Sequence, residues 1–395
     1  MADQFQILIL NNVSQNGLKR LPAERFACAK EVAKPDAILL RSADLHSVEI
    51  AKSVLAIGRA GSGTNNIPVK AMSARGVPVF NAPGANANAV KELVIAGMLL
   101  AARNIGGAMK FVSVLDPKDA EMEKKVEGGK KTYAGYEISG HTLGVVGLGK
   151  IGCLVADAAI KLGMNVIGYD PEITVEAAWS LPSQVKKANS LNEVLKNCNF
   201  VTLHVPLVDA TRRMINADSL DQAKHGMVLL NFARDGVVDE SAVLAALESK
   251  RLATYVCDFP SAHVNNHPQV IALPHLGAST REAEENCAMM VADQVRDYLQ
   301  DGNIVNAVNF PSVVMPRESG FRLAIANANV PNMVGQISTA MAEAKLNIHN
   351  MMNKSKGDVA YTLVDVDSKV PKKAIDAIAK IEGVLAVRYL PVEHG

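Results

Sequence analysis

Short apolar runs alternate with helix-like stretches over the first hundred residues of the chain. The runs are FQILIL (5–10), DAILL (36–40), SVLAIG (53–58) and VPVF (77–80), and each ends at or just before Gly, Asn, Arg or Ser. These four residue types are common in loops. A long apolar stretch from Asn88 to Arg103 then predicts a helix. The alternation predicts βαβ units, and therefore a parallel sheet covered by helices.

A second series of the same kind begins near Thr142. Its predicted strands are TLGVVG (142–147), NVIGYD (165–170), FVTLHV (200–205), MVLLNFA (227–233), ATYVCD (253–258) and VIALP (270–274). Helix patterns lie between several of them, at 150–162, 191–197 and 239–250. The charged stretch 116–131 predicts a surface excursion between the two series. The amphipathic stretch 282–299 predicts a helix that packs back on the first domain.

The last part of the chain follows another pattern. Two prolines and little periodicity predict a linker over residues 305–319. Beyond it, apolar and polar positions follow the order βαββαβ over about 75 residues, which is typical of a ferredoxin-like module. We therefore expect an α/β protein with two doubly wound parallel sheets and a C-terminal ferredoxin-like module.

Composition narrows the class of protein. The 395 residues predict two or three domains, and the net charge of +1 gives no general attraction to nucleic acid or to an anionic membrane. The start of the chain lacks the basic segment of a signal peptide, and five widely spaced cysteines do not form a disulfide framework. We expect a cytoplasmic protein with reduced thiols. No residue spacing indicates a metal site.

One motif predicts nucleotide binding. Gly147-Leu148-Gly149-Lys150-Ile151-Gly152 fits GxGxxG between a predicted strand and a predicted helix. Asp170 follows at the end of the next strand, which is the context of a Rossmann fingerprint. Its carboxylate would accept hydrogen bonds from the ribose hydroxyls and repel a 2′-phosphate. NAD is therefore the expected cofactor, rather than NADP.

Several reactive side chains follow predicted strands of the second series. His204-Val205-Pro206, Arg234, Asp258 and His275 each stand at a strand's carboxyl end, where ligands of open parallel sheets bind. A guanidinium can hold a carboxylate with two parallel hydrogen bonds, and an imidazole can exchange the proton of a hydroxyl. Asp258 could orient the carboxamide of a nicotinamide. This set predicts hydride transfer between NAD and a hydroxyacid.

The same residues lie in motifs of a known family. GHTLGVVGLGKIG (140–152), VTLHVPL (201–207), NFARDGVVDE (231–240) and PHLGAST (274–280) resemble D-isomer-specific 2-hydroxyacid dehydrogenases. GRAGSGTNNI (58–67) and NAPGANANAVKEL (81–93) resemble its phosphoglycerate dehydrogenase branch, and NANVPNMVGQIS (327–338) is similar to the ACT domain. The resemblance implies oxidation of D-3-phosphoglycerate to 3-phosphohydroxypyruvate, the first step of L-serine biosynthesis. It also implies a flavodoxin-like and a Rossmann domain.

The resemblance assigns roles to individual positions. Arg234 would hold the substrate carboxylate and His275 would be the acid–base. The substrate would also meet Ser62 and Gly63 through backbone N–H groups, and Arg59 through its phosphate. The implied NAD-binding residues are Gly147, Gly149, Lys150, Ile151, Gly152, Asp170, His204, Val205, Pro206, Thr211, Ala233, Asp258 and Gly277.

The sequence departs from the family pattern at several positions. The stretch DFPSAHVNNHP (258–268) contains no Glu, although the family usually pairs a Glu there with its His. Lys91 stands where a small or polar residue is common, and we expect it to place positive charge beside the substrate. Asn332 replaces a glycine of the ACT strand–helix turn, and Asn tolerates the left-handed conformation.

The implied domains and partners complete the expectation. The substrate-binding domain would comprise residues 1–100 and 282–305, the NAD-binding domain 101–281, the linker 306–318 and the ACT domain 319–395. The ACT domain would bind a small amino acid, with the end product serine as the expected one, through Asn327, Asn329 and Asn347. The family further implies a homodimer or a homotetramer.

Two other functions stay open at this point. The same chemistry would serve glyoxylate, hydroxypyruvate or another 2-oxo acid. The missing Glu would also suit a regulatory protein that senses NAD without catalysis. Retention of both Arg234 and His275 argues against a pure sensor, which needs neither.

Overall fold

The computed structural model describes residues 4–392, and the chain divides into two units. Residues 87–280 form one unit, and the residues up to 86 together with those from 281 onward form the other. The sequence analysis placed the first boundary at residue 100. The helix Ala87–Ala102 accounts for the difference, because its buried residues Val94 and Met98 join the core of the unit 87–280.

A five-stranded parallel sheet forms the N-terminal part of the first unit. Its order is β2-β1-β3-β4-β5, which is the flavodoxin-like order expected from the resemblance. The elements are β1 (Phe5–Leu10), α1 (Gln15–Leu18), β2 (Phe26–Ala29), β3 (Ala37–Leu40), β4 (Ala56–Arg59), α2 (Val69–Ala74) and β5 (Val79–Phe80). The strand β2 was not predicted, because its residues FACA are short and partly exposed.

The unit 87–280 is built on seven parallel strands in the order β12-β11-β10-β9-β6-β7-β8. The strands are β6 (Thr142–Val146), β7 (Asn165–Tyr169), β8 (Lys186–Lys187), β9 (Phe200–Leu203), β10 (Met227–Asn231), β11 (Leu252–Cys257) and β12 (Val270–Ala272). The order reverses between β6 and β9, as in a Rossmann fold. All six predicted strands exist, and the short β8 is an addition.

Ten helical segments surround these strands. They are α3 (Ala87–Ala102), α4 (Ile105–Ser113), α5 (Met122–Gly129), a 3-10 turn (Lys130–Tyr133), α6 (Lys150–Lys161), α7 (Val175–Ser180), α8 (Leu191–Asn197), α9 (Ala217–Asp221), a 3-10 turn (Asp235–Val237) and α10 (Glu240–Glu248). The helix α5, which lies in the predicted surface excursion 116–131, contains no buried residue, and neither does α4, which precedes it. Within residues 4–392 no single helix has the length and hydropathy to cross a membrane; only α3 and α4 taken as a pair, bent by 70°, pass that test.

The chain returns to the first unit through a long helix and then forms a four-stranded antiparallel sheet. The elements are α11 (Arg281–Asp301), β13 (Phe321–Ala328), α12 (Met333–Glu343), β14 (Ile348–Lys356), β15 (Val359–Val366), α13 (Lys372–Ala379) and β16 (Val384–Pro391). The sheet order is β14-β15-β13-β16, and the chain order βαββαβ is that of a ferredoxin-like module. Asn332 starts α12 with a φ of 64°, in the left-handed conformation that its amide tolerates. The predicted fold class is confirmed.

The segment between α11 and β13 is packed rather than free. Phe310, Val313 and Met315 are buried in a core that residues of α11 and of the C-terminal sheet share. Arg388 donates to the carbonyls of Tyr298 and Leu299 at the end of α11, at 3.0 and 2.8 Å. The predicted linker is therefore a packed segment, and its lack of periodicity in the sequence gave no sign of these buried residues.

Candidate active site

The turn between β6 and α6 is shaped by its glycines. Gly147 has a φ of 91°, and a Cβ there would lie 2.7 Å from the carbonyl of His204. A Cβ on Gly152 would lie 2.0 Å from the Gly147 oxygen, whereas a Cβ on Gly149 would meet nothing within 4 Å. Two glycines therefore serve the close packing of the turn. The third leaves open space at a helix N-terminus, where phosphate groups bind.

Asp170 follows β7 and is held beside this turn. Its Oδ2 accepts from the Leu148 amide at 2.8 Å, and its Oδ1 accepts from the Glu172 amide at 2.9 Å. Each carboxylate oxygen has a second lone pair. The half-buried Asp170 thus keeps acceptor capacity for a pair of ribose hydroxyls, so the turn and its carboxylate fit the dinucleotide that the motif predicts.

His204 directly follows β9 and lies next to Gly147. Its Nε2 lies 3.0 Å from the Thr202 hydroxyl, and its Nδ1 is buried without a partner. Burial lowers the pKa of His204 to about 3, so the imidazole is neutral at physiological pH. Beyond Val205, the Thr211 hydroxyl donates to the Pro206 carbonyl and ties the following loop. The unpartnered ring nitrogen leaves a hydrogen-bonding position for a polar group of a bound cofactor.

Arg234 and His275 contact the same aromatic ring. The Arg234 guanidinium carbon lies 5.8 Å from the centroid of the Phe259 ring, and the His275 ring centroid lies 4.5 Å from it. Arg234 and His275 are both exposed. The two side chains predicted to react therefore lie close to each other, beyond the carboxyl ends of β10 and β12, the strands on either side of β11. Sequence reasoning missed Phe259, which carries no reactive group.

The loops that carry these residues are attached to buried polar side chains. Asn231, the last residue of β10, donates from Nδ2 to the Arg234 carbonyl at 2.9 Å. Asp258, just after β11, accepts from the amides of Leu276 and Gly277 at 2.7 and 2.8 Å. Burial raises the pKa of the Asp258 carboxyl, and these two amide hydrogen bonds act in the opposite direction.

The structure also bears on the missing Glu. Within residues 87–280 no side chain hydrogen-bonds the imidazole of His275, whose ring contact is with Phe259. In the stretch where the family carries its Glu, Ser261 donates its hydroxyl proton to the Glu240 carboxylate instead. Asp258 is the buried carboxylate on which His275 exerts an electrostatic effect. The amides of Leu276 and Gly277 hold this carboxyl group beside the histidine loop.

Lys91 lies in the first turn of α3. Its Nζ donates to the Asn88 side chain at 2.6 Å and lies 3.9 Å from a Glu92 oxygen. The neighbouring Val90 packs toward Gly277, where a Cβ would lie 3.5 Å from its Cγ2. The turn that carries Lys91 therefore borders the histidine loop. Its predicted contact with substrate stays a prediction.

Two arginines follow neighbouring strands of the other unit. Arg59 ends β4 and donates from Nε to the Arg41 carbonyl at 3.1 Å, and Arg41 follows β3. Arg41 also pairs with Glu284 of α11 at 2.8 Å. A Cβ on Gly61 would lie 2.3 Å from Arg59 Nη1, so a side chain at position 61 would displace this guanidinium. Sequence reasoning missed Arg41, although its position just after an apolar strand was a signal.

The loop after β4 also contains the predicted Ser62 and Gly63. The Ser62 carbonyl accepts a hydrogen bond from the side-chain Nδ2 of Asn81 at 2.5 Å, which fixes the loop. A Cβ on Gly63 would lie 3.4 Å from the Asn65 side chain. Ser62 and Gly63 thus lie in the loop that follows Arg59, at the carboxyl end of a parallel strand.

A cavity of about 150 Å³ lies at the β13–α12 turn of the C-terminal module. Asn327, Asn329, Asn332 and Asn353 are among its lining residues. Asn327 is buried, and its Oδ1 has no partner. Asn347 does not line this cavity: it is exposed, and its N–H donates to Asp367. Two of the three predicted effector residues are therefore brought together. Among residues 4–392 no cluster of His, Cys, Asp or Glu has the geometry of a metal site.

Comparison with known proteins gives consistent matches. Residues 97–277 match the family described as D-isomer specific 2-hydroxyacid dehydrogenase, NAD binding domain. The chain is 33% identical to D-3-phosphoglycerate dehydrogenase of Haemophilus influenzae, over 87% of this chain and 83% of the relative. The corresponding enzyme of Escherichia coli is 32% identical, with the same coverage. The NAD+-bound 3-phosphoglycerate dehydrogenase structure from Entamoeba histolytica is 25% identical with a TM-score of 0.59, over 78% of this chain and 99% of that one.

Proposed function

Because this chain belongs to the D-isomer-specific 2-hydroxyacid dehydrogenase family, we propose that it oxidises D-3-phosphoglycerate to 3-phosphohydroxypyruvate with NAD, the first step of L-serine biosynthesis. One observation carries the proposal: Arg234 and His275 contact a single Phe259 ring at the carboxyl edge of a dinucleotide-binding sheet. A sensor of NAD would need neither side chain.

The reaction assigns one step to each of these residues. The hydroxyl carbon of the substrate loses a hydride and its hydroxyl loses a proton, so a 2-hydroxy acid becomes a 2-oxo acid. Arg234 holds the carboxylate beside the reacting carbon through paired N–H donors. His275 takes the hydroxyl proton on a ring nitrogen. When bound, NAD supplies the acceptor for the hydride.

Binding residues on this chain would hold both reactants. We assign the dinucleotide phosphates to the open space at Gly149 with Lys150 and Ile151, and the ribose to Asp170. The nicotinamide side is assigned to His204, Val205, Pro206, Thr211, Ala233, Asp258 and Gly277. Backbone N–H groups of Ser62 and Gly63 would meet the substrate carboxylate. Arg59, together with Arg41, would meet the phosphate, since two guanidinium groups lie at the ends of β3 and β4.

An NADH absorbance assay tests the activity and the substrate together. We expect reduction of NAD with D-3-phosphoglycerate, and oxidation of NADH with 3-phosphohydroxypyruvate. Glyoxylate and unphosphorylated hydroxypyruvate should have a kcat/KM at least about 100-fold lower, because they cannot form the charged hydrogen bonds to Arg41 and Arg59. Equal rates with glyoxylate would favour a reductase of other 2-oxo acids.

Lys91 is proposed as a further charge beside the substrate. Its position in the turn that borders the histidine loop supports this role, and its pairing with Asn88 leaves two further ammonium protons. We expect Lys91→Ala to raise the KM for phosphoglycerate and to shift the pH profile of turnover. An unchanged KM with an unchanged profile would remove Lys91 from the site.

The Asn-lined cavity supports a regulatory proposal. Asn327 has a buried, unpartnered oxygen, which suits an ammonium or hydroxyl donor, so we propose that a small amino acid such as serine binds there. Serine should inhibit turnover, and Asn329→Ala should weaken the inhibition. Full activity at millimolar serine would contradict feedback control.

We further propose a homodimer or a homotetramer in the cytoplasm. The helix α4 buries none of its residues, and Met109, Val112 and Val114 are exposed along this excursion, which suits a face covered by a second copy. Light scattering should give a mass at least twice that of the chain, and Met109→Asp should lower it. The five free thiols support a reducing compartment.

A further inference from the structure

Two buried polar residues lie next to each other at the carboxyl end of the sheet. Asn231 is 0% exposed and Asp258 is 1% exposed, although both are surrounded by apolar strands. Their backbones are joined, because the Asp258 N–H donates to the Asn231 carbonyl at 3.1 Å. Burying an amide and a carboxylate is costly unless their hydrogen bonds are made.

Asp258 binds three consecutive residues of the histidine loop. The N–H of His275 donates to the Asp258 carbonyl at 3.0 Å, and those of Leu276 and Gly277 donate to its two carboxylate oxygens. This arrangement requires two acceptor atoms in one side chain, so a carboxylate fits and a carboxamide does not. His275 has a φ of 56°, a strained conformation for a residue other than glycine, and these hydrogen bonds hold it there.

Asn231 binds the arginine loop with the opposite requirement. Its Oδ1 accepts from the Ala233 N–H at 3.1 Å, and its Nδ2 donates to the Arg234 carbonyl at 2.9 Å. One acceptor and one donor are needed, so a carboxamide fits and a carboxylate would repel the carbonyl. The two side chains therefore match the backbone groups of two different loops.

We propose that Asn231 and Asp258 are positioning residues that together set the distance and orientation between the Arg234 guanidinium and the His275 imidazole. Both loops are fixed to one pair of adjacent strands, so the reacting groups share a single rigid reference. Such precision matters because a misplacement of about 1 Å can cost about 100-fold in rate. The proposal rests on the proposed function of Arg234 and His275. It gives Asp258 a role in loop geometry in addition to the nicotinamide side assigned to it above.

The test is the pair of isosteric exchanges Asp258→Asn and Asn231→Asp in the full chain. Each replaces a matched hydrogen bond by two facing donors or two facing acceptors. We expect kcat to fall about 100-fold in each variant. The dissociation constant for NADH should rise far less than kcat falls, because both carboxylate oxygens are already hydrogen-bonded to the loop amides. Asp258→Glu should recover part of kcat, because it restores both acceptor oxygens.

Asn199→Asp is the matched control. Asn199 precedes β9 at the opposite end of the sheet, where its Oδ1 accepts from the Thr142 N–H at 3.1 Å. The same chemical change is made far from the reacting groups, so kcat should be unchanged. Hydrogen exchange gives a readout that needs no substrate: the amides of Leu276 and Gly277 should lose protection in Asp258→Asn and keep it in Asn199→Asp.

The outcomes separate the proposals. A folded Asp258→Asn enzyme with wild-type kcat would overturn the positioning role. So would a loss of NADH affinity that accounts for the whole loss of activity, since Asp258 would then act on the cofactor. If Asp258→Asn fails to fold, Gly277→Ala replaces it, because its Cβ would press on Asp258 Oδ2 at 3.0 Å; unchanged kcat and protection would then count against the role. A wild-type chain that is inactive on phosphoglycerate but shows the exchange pattern would contradict the proposed function alone.

Discussion

Two edges of this chain carry charged residues at the carboxyl ends of parallel strands, but they hold them differently. At the reaction edge, formed by the ends of β10, β11 and β12, buried hydrogen bonds to the main chain fix the loops of Arg234 and His275. At the anion edge, formed by the ends of β3 and β4, Arg41 makes an ion pair with Glu284, and the two side chains are 35% and 41% exposed. Groups that move protons need fixed geometry, whereas groups that attract a phosphate can remain adjustable.

The largest effect is expected at the reaction edge. His275→Gln keeps a polar side chain of similar reach but removes the imidazole that we propose takes the hydroxyl proton. We expect kcat to fall about 1,000-fold, within the range of general acid–base catalysis, while KM changes little. Steady-state kinetics in both directions measures this. If KM rose while kcat stayed unchanged, His275 would be a binding residue, and the two edges would not differ in this respect.

At the anion edge the expected effect falls on KM. Arg59→Ala or Arg41→Ala should each raise the KM for D-3-phosphoglycerate about 10- to 100-fold, because a charged hydrogen bond contributes about 1.5–3 kcal/mol. The kcat at saturation should be nearly kept. D-glycerate, which lacks the phosphate, is the control substrate, and its weak turnover should be the same in both variants. A parallel loss with D-glycerate would show that the arginines act on the carboxylate.

The stability of the protein at acidic pH should reveal the burial of His204. The folded pKa of His204 is about 3, so below about pH 6.5 the unfolded chain binds a proton that the native His204 does not. Stability should therefore fall as the pH drops from about 6.5 toward 3, by up to about 1.4 kcal/mol per unit. Urea unfolding of His204→Asn should show a shallower fall. Equal slopes for the variant and the wild type would mean that the ring takes up its proton in the native state.

The smallest effect concerns the counter-ion of the anion edge. Glu284→Gln removes the carboxylate that pairs with Arg41, so the guanidinium is free to meet a phosphate. Because exposed ion pairs contribute about 0.2–1 kcal/mol, the KM for D-3-phosphoglycerate should fall about two- to threefold. The difference should shrink in high salt. A rise in KM would mean that Glu284 orients Arg41 rather than competing for it.

Local backbone chemistry made the nucleotide turn predictable. Gly147 needs a positive φ and Gly152 a close approach, and both demands appear as glycines at fixed spacing before a helix. Arg234 and His275 were found because strand ends converge in a parallel sheet. The fold class followed from periodicity for the same reason, since βαβ and βαββαβ orders constrain the topology strongly.

Residues whose role depends on a distant partner were missed. Asn231 and Phe259 carry no reactive group, and only the loops that they contact give them meaning. Arg41 forms an ion pair with Glu284, which lies far along the chain, so its sequence neighbours did not show this contact. Asn347 was expected near the other asparagines, but β14 begins after it and leaves it exposed beside Asp367. The spacing of residues in the sequence does not show which groups donate hydrogen bonds and which accept them, as the contacts of Asp258 illustrate.

The anchoring of the C-terminal sheet limits how this protein can be engineered. Arg322 and Asp365 form an ion pair with both side chains 0% exposed, Arg322 also donates to the Asp301 carbonyl, and the Tyr361 hydroxyl donates to the Gly302 carbonyl. Deleting the last eighty or so residues would strip α11 of its cover and leave apolar surface in water. To remove the proposed amino-acid regulation, single asparagines of the cavity should therefore be replaced and the C-terminal domain kept.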